Sequence, residues 1–158
     1  MSIRLAKAAP ENIPQIIELM REFAEYEKLL DSFEVTGERL KTALFGDGKV
    51  ADAILAFDGE TALAYAIFFP NLATFRGQRG IYLEDIFITK AARGRGLGRI
   101  MLKHLAKIAE ERGFERIDFQ VLKWNASAIE FYEGLGAVRD DEERHFKFTD
   151  EAFKNLAR

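Results

Sequence analysis

The sequence GIYLEDIFITKAARGRGLG, residues 80–98, runs from a strand-like segment through a glycine-rich loop into a helix. Its first part, Gly80–Thr89, is rich in β-branched and aromatic residues, which favours a strand. Apolar residues then recur at helical spacing up to a stop at Gly113: Leu97, Met101, Leu105 and Ile108. With the strand that follows, this unit predicts a right-handed parallel crossover.

Similar patterns occur on both sides of this unit. The predicted strands are Ile3–Ala8, Val50–Phe57, Thr61–Phe69, Gly80–Thr89, Ile117–Val121 and Arg144–Phe148. The predicted helices begin near Ile13, Thr36, Leu97, Asn125 and Thr149. Asp58–Gly59 predicts a two-residue hairpin turn with positive φ at both positions. The order β-α-α-β-β-β-α-β-α-β-α predicts one mixed α/β sheet with helices on its faces.

The composition is typical of one globular domain, here residues 1–158. Hydrophobic residues make up 48% of the chain, and a net charge of -3 provides no global positive field for nucleic acid or an anionic membrane. Without cysteine, and with only two distant histidines, His104 and His145, we expect no metal site. Met1–Leu5 lacks the apolar stretch of a signal peptide, so the cytoplasm is the expected compartment.

The loop Arg93–Gly98 has the composition of an anion-binding loop. Its three glycines let backbone N–H groups approach a ligand, and the helix N-terminus adds partial positive charge, which suits a pyrophosphate. A flexible turn with solvated arginines is the alternative interpretation. Two nucleotide motifs fail on spacing: Gly98-Arg99-Ile100 lacks the Lys-Ser/Thr of a Walker loop, and only Leu97 separates the last two glycines.

Two adjacent carboxylates, Glu84 and Asp85, interrupt the apolar strand segment. In a regular strand they point to opposite faces, so at least one meets the buried side. A structural salt bridge or a loop-capping hydrogen bond is one explanation, chiefly for Asp85. The other is a general base beside a bound electrophile, acting directly or through water, chiefly for Glu84.

A third segment, Trp124–Tyr132, opens a helix for which Asn125 is a suitable N-cap. Tyr132 is either an amphipathic core residue with a satisfied hydroxyl or a phenol that donates a proton to a leaving thiolate. Ser127 is expected in the first helical turn rather than as a nucleophile, because neither histidine has triad-like neighbours.

In their order along the chain, these three segments resemble the GNAT superfamily of acetyl-coenzyme A-dependent N-acetyltransferases. Residues 23–29, FAEYEKL, and residues 82–87, YLEDIF, resemble more narrowly the diamine (spermidine/spermine) and thialysine acetyltransferases. The resemblance is nearly full length. It implies a mixed, mostly antiparallel sheet that is splayed at the coenzyme site, acetyl-coenzyme A as co-substrate, and a homodimer.

The resemblance also implies a role for individual residues. Glu84 contacts the amine and helps to deprotonate it through water, and Tyr132 is the general acid. Tyr26, Glu27, Glu84 and Asp85 are the substrate-side residues. The coenzyme contacts are strand backbone, loop and helix positions: Ile86, Phe87, Ile88, Arg93, Gly94, Arg95, Gly96, Leu97, Gly98, Arg99, Asn125 and Ser127.

The expected reaction is acetyl transfer, by direct attack, to a primary amine of a small cationic substrate, either a diamine or a lysine-like molecule. A protein or peptide N-acetyltransferase and a non-catalytic coenzyme-binding module are the alternatives. Two segments depart from the family pattern: Pro70–Thr74 lacks an expected aromatic segment, and the acidic run Asp140–Glu143 is short. Both segments border the expected amine site. The resemblance therefore implies the coenzyme and the reaction more strongly than it implies the substrate.

Overall fold

A computed structural model describes residues 2–158. The chain divides into two compact units, the first ending at Gln120 and the second spanning Val121–Arg158, and each is described by itself. One domain over residues 1–158 stays a prediction.

The first unit is built on a five-stranded sheet with the order β1-β2-β3-β4-β5. The strands are β1 (Ile3–Lys7), β2 (Asp52–Asp58), β3 (Thr61–Ala73), β4 (Gln78–Ile88) and β5 (Arg116–Phe119). Strands β1 to β4 are antiparallel neighbours, whereas β4 and β5 are parallel. The mixed, mostly antiparallel sheet expected from the sequence is confirmed.

Helices cover both faces of this sheet. Their bounds are α1 (Ile13–Tyr26), α2 (Gly37–Phe45) and α3 (Leu97–Glu111). One core cluster joins α1 and α2 to sheet residues that include Tyr65 and Phe87, and a second joins α3 to sheet residues that include Leu83. We call these faces the α1 face and the α3 face.

The β2–β3 turn lies one residue later than the sequence predicts. Asp58 pairs with Thr61, so the two turn residues are Gly59 and Glu60. Gly59 has a φ of 60°, whereas Asp58 belongs to β2. The prediction of positive φ at both Asp58 and Gly59 is therefore wrong, and glycine at the first central position is the type II′ arrangement.

The second unit contains α4 (Ala126–Gly134) and α5 (Asp150–Ala157). The side chain of Asn125 accepts the Ala128 N–H at 3.3 Å, which confirms the predicted N-cap. The predicted strand Arg144–Phe148 is wrong, because no strand is found between α4 and α5. Alternation makes a strand only where a neighbour pairs with it, and the sheet of the described chain ends at β5. No helix within residues 2–158 has the length and apolar character to cross a membrane.

Candidate active site

A bulge in β4 changes the direction of the two adjacent carboxylates. Leu83 and Asp85 pair with consecutive residues of β3, so Glu84 is an extra residue in β4. In a regular strand Leu83 and Phe87 share a face, yet Leu83 packs on the α3 face and Phe87 on the α1 face. The strand is therefore not uninterrupted at Glu84. Of the two carboxylates, Glu84 is exposed and Asp85 is largely buried, which confirms the prediction that at least one meets the buried side.

Asp85 is a largely buried carboxylate that is held by a tyrosine of β3. Tyr65 is 0% exposed, and its hydroxyl donates to Asp85 Oδ2 at 2.9 Å. Burial raises the pKa of Asp85, the hydrogen bond from Tyr65 opposes the rise, and the charge of Glu84 adds to it. The result is a raised pKa. The partner is a phenol, which differs from the salt bridge and the loop cap that the sequence offered as structural explanations.

Glu27, at the end of α1, interacts electrostatically with this carboxylate. Burial raises the pKa of Glu27, and the charge of Asp85 raises it further. The next residue, Lys28, has a φ of 60°. The N–H groups of Lys28 and Leu29 donate back to carbonyls of the last helical turn at 3.1 and 2.8 Å, a Schellman ending with lysine where glycine is usual. This ending fixes the chain direction at Glu27, and we call Glu27, Glu84 and Asp85 the acidic cluster.

Tyr26 lies beside this cluster and contacts the loop that follows β4. The guanidinium carbon of Arg93 is 4.6 Å from the Tyr26 ring centroid and 5.3 Å from that of Phe87. Its Nε donates to the Ile88 carbonyl at 3.1 Å. Arg93 is therefore tied to α1 and β4, so the predicted coenzyme contact of its side chain requires these interactions to be exchanged.

A second contact ties α1 to the start of the same loop. The Thr89 hydroxyl donates to Glu22, with oxygen separations of 2.8 and 3.0 Å, and the Lys90 N–H donates to Glu22 Oε1 at 3.0 Å. Sequence reasoning missed both Glu22 and Tyr65. A glutamate on an amphipathic helix is usually solvated, and a tyrosine among alanines in a strand is usually core. The polar tip of Tyr65 in an otherwise apolar strand was the available signal.

The glycine loop provides open space at the start of α3. Gly94 and Gly96 have φ values of 78° and 75°, and a Cβ added at either would meet no atom within 4 Å. Gly96 is the N-cap of α3 and provides no side-chain acceptor, so the first N–H groups of α3 point out of the helix. Arg95 and Arg99 are exposed, whereas the Leu97 side chain is buried on the α3 face. These features fit an anion such as a pyrophosphate.

The sheet opens beside β4. Strand β5 pairs with Gly80–Leu83, and within residues 2–120 the rest of β4 pairs with β3 alone. The start of the opening coincides with the bulged residue, Glu84. The expected splay of the sheet is therefore present, and the acidic cluster lies next to it.

Backbone alternation selects which β4 residues face this opening. The Thr89 N–H donates to a carbonyl of β3 at 2.8 Å. Since alternate residues of an antiparallel strand direct their N–H and C=O to the same neighbour, Phe87 faces β3 and Ile86 and Ile88 face the opening. Of the three expected backbone contacts with the coenzyme, the geometry favours Ile86 and Ile88 and not Phe87.

The remaining predicted residues lie in the second unit. Asn125 is 7% exposed, and the Ser127 hydroxyl donates to its Oδ1 at 3.4 Å, as suits a first-turn residue. Tyr132 is half-buried in α4, with its ring centroid 5.3 Å from that of Phe131 in an edge-on contact. The coenzyme and catalytic roles of Asn125, Ser127 and Tyr132 stay predictions.

A family model matches residues 13–137, and that model is the acetyltransferase (GNAT) family. The chain belongs to the GNAT acetyltransferase family. The assignment agrees with the bulged β4, the open sheet edge and the glycine loop before α3. Acetyl transfer is the chemistry of this family, and the chain is a GNAT-family N-acetyltransferase.

Individual relatives narrow this similarity. The chain is 32% identical over 166 residues to thialysine N-epsilon-acetyltransferase of Bos taurus, covering 98% of this chain and 97% of that protein. It is 31% identical to spermidine/spermine N(1)-acetyltransferase-like protein 1 of Homo sapiens, covering 98% of this chain and 23% of that protein. An integron cassette protein from the mobile metagenome of V. cholerae has the same fold, with a TM-score of 0.82, 23% identity and coverage of 99% and 98% of the two chains.

Proposed function

We propose that the chain transfers the acetyl group of acetyl-coenzyme A to a primary amine of a small diamine or a lysine-like molecule. The observation that carries this proposal is the acidic cluster, Glu27, Glu84 and Asp85, at the point where β4 loses its pairing with β5. Carboxylates around an opening favour cations, and the opening adjoins the glycine loop.

The coenzyme would lie along the open edge of β4 and the start of α3. In this arrangement the N–H and C=O groups of Ile86 and Ile88 pair with the pantetheine arm, as an added strand would. The N–H groups from Leu97 to Arg99 and the exposed Arg95 and Arg99 hold the pyrophosphate. When bound, acetyl-coenzyme A supplies the thioester that carries the acetyl group.

The chain's own residues would manage the protons. A free alkyl amine has a pKa of about 10.4, so a proton must leave before the amine attacks at neutral pH. Glu84 is exposed at the bulge and is the proposed acceptor, directly or through water. A β4 N–H at the open edge stabilises the charge that develops on the carbonyl oxygen, and Tyr132 donates a proton to the departing sulfur.

The substrate class rests on the acidic cluster together with two relatives, a thialysine N-epsilon-acetyltransferase and a spermidine/spermine N(1)-acetyltransferase-like protein. A second ammonium group that does not react stays charged while the first loses its proton. Its attraction to Glu27 and Asp85 is therefore maintained through the reaction. Monoamines lack this attraction.

The decisive experiment measures coenzyme release with acetyl-coenzyme A and a panel of polyamines, lysine analogues, aminoglycosides, peptides and matched monoamines. Glu27→Gln should lower kcat/KM for diamines roughly three- to tenfold more than for monoamines. The reason is that a half-buried charge pair contributes more binding free energy than an exposed one. Added salt should shrink the difference. Glu25→Gln, an exposed position on the same helix turn, is the matched control and should leave the ratio unchanged.

Each contrary result has a distinct meaning. Equal efficiency with monoamines and diamines removes the substrate class and leaves the acetyltransferase activity. Turnover with peptides alone points to a protein N-acetyltransferase. Coenzyme binding without transfer to any member of the panel points to a binding module.

We further propose a homodimer that works in the cytoplasm. Several large apolar side chains in the second unit are well exposed: Val138, Phe146, Phe148, Phe153 and Leu156. The segment Arg144–Phe148 also has a strand pattern that no strand of the described chain satisfies. A second copy that covers these side chains and pairs with this segment would satisfy both features.

Sedimentation velocity tests the dimer. The wild type should sediment as a dimer at micromolar concentration, and Phe146→Ser, at a side chain that is 85% exposed, should shift it toward monomer. Val50→Ser, at an apolar residue that is 70% exposed in the first unit, is the control. A monomeric wild type would refute the proposed homodimer and would leave the proposed acetyl-transfer reaction unaffected.

A further inference from the structure

Tyr65 is a buried phenol whose hydrogen-bond partner is a carboxylate. It is 0% exposed and lies in the core cluster of the α1 face, with its hydroxyl 2.9 Å from Asp85 Oδ2. A buried hydroxyl needs a partner, and most tyrosines find a neutral one. Here the partner is a carboxyl group that interacts electrostatically with two further acidic residues, Glu84 in β4 and Glu27 at the end of α1.

Packing alone does not account for this pair. Ile67, which pairs with Asp85, and Phe87, which pairs with Tyr65, are buried apolar residues. An apolar side chain at position 85 would avoid the cost of burying a carboxylate. A phenylalanine at position 65 would fill nearly the same volume without a hydroxyl to satisfy. The pair therefore places a carboxylate in this core at a cost, and the hydrogen bond orients one of its oxygens.

We propose that Tyr65 is a positioning residue for amine recognition: its hydroxyl holds Asp85 Oδ2 and fixes the orientation of the carboxylate, so that Oδ1 can accept the non-reacting ammonium of the substrate. This role rests on the proposed function only for the identity of the cation. It predicts binding of a diammonium ion whether or not acetyl transfer follows.

The role has a defined pH dependence. Asp85 contacts the Tyr65 hydroxyl of β3, lies next to Glu84 in β4 and interacts electrostatically with Glu27 at the end of α1. The Arg93 guanidinium lies over the rings of Tyr26 and Phe87. Burial and the charge of Glu84 raise the pKa of Asp85, and the Tyr65 hydrogen bond opposes them. Removing the hydroxyl raises that pKa further, so Asp85 is protonated at higher pH. Diamine binding should then fail at a higher pH as the solution is acidified.

The test is Tyr65→Phe, which keeps the ring, assayed by calorimetry with 1,3-diaminopropane as the probe and by the pH profile of kcat/KM. At neutral pH we expect diamine affinity to fall about tenfold, as for a lost hydrogen bond to a charged group. The fall in kcat/KM should come from KM, and the acid limb of the profile should move to higher pH. Coenzyme affinity should stay within about twofold of wild type, which shows that the fold is intact.

A double-mutant cycle separates this role from a structural one. In an Asp85→Asn background, Tyr65→Phe should cause no further loss of diamine affinity. Full additivity, or an unchanged acid limb in the single variant, overturns the proposal even if the enzyme acetylates diamines. If wild type binds the diamine in a Tyr65-dependent way but transfers nothing to it, the proposed function fails and the positioning role stands. A wild type that does not bind the diamine overturns the positioning role.

Discussion

Gly96→Glu should abolish binding of acetyl-coenzyme A. Gly96 is the N-cap of α3 with a φ of 75°, and a Cβ there points into space that contains no atom within 4 Å. A glutamate side chain would fill that space with a negative charge beside the N–H groups proposed to hold the pyrophosphate. Its repulsion of the phosphates adds to the loss of room, so no binding should be measurable by titration calorimetry.

The control for Gly96→Glu is Gly96→Asn. Asparagine tolerates the left-handed backbone region better than most residues and carries no charge. It should leave the melting temperature near that of Gly96→Glu and weaken the coenzyme far less. An affinity of Gly96→Glu for acetyl-coenzyme A that stays within about threefold of wild type is a difference below ~1 kcal/mol. That result would contradict the proposal that this loop binds the pyrophosphate.

Most helices and strands were predicted correctly, because apolar spacing, capping residues and β-branched runs are properties of short stretches of sequence. Apolar spacing located α1 and α3, the Asn125 side chain caps α4 as predicted, and the β-branched run at Gly80–Thr89 became β4. The strand prediction for Arg144–Phe148 failed, because alternation does not show whether a neighbouring strand is available for pairing. The Asp58–Gly59 turn failed by one residue because a single glycine satisfies more than one turn type.

The sequence predicted the candidate site as a set of residues and not as an arrangement. Glu84, Asp85 and Glu27 were among the predicted residues, but the bulge that shifts the alternation at Glu84 depends on how β3 pairs with β4. No sequence rule locates that shift. Tyr65 was missed for the same reason, because its contact with Asp85 joins residues 20 apart across two strands.

Tyr132→Phe should lower kcat by about 100-fold or more, if the phenol is the general acid that protonates the departing thiolate. Tyr132 lies in α4, half-buried, and its ring meets Phe131 edge-on. Phenylalanine keeps this ring contact and removes only the hydroxyl. Coenzyme affinity and the melting temperature should therefore change little, and the measurement is steady-state turnover alongside calorimetry and thermal unfolding.

A packing tyrosine would give the opposite pattern. Loss of a satisfied hydroxyl costs about 1 kcal/mol of stability, which would lower the melting temperature while turnover stayed normal. That result would mean that the thiolate takes its proton from water and that Tyr132 has a packing role only. An acetyl donor with a more acidic leaving thiol provides an independent check. Its thiolate needs less protonation, so a variant that lacks the general acid should recover part of its turnover, whereas a packing variant should show no change relative to wild type.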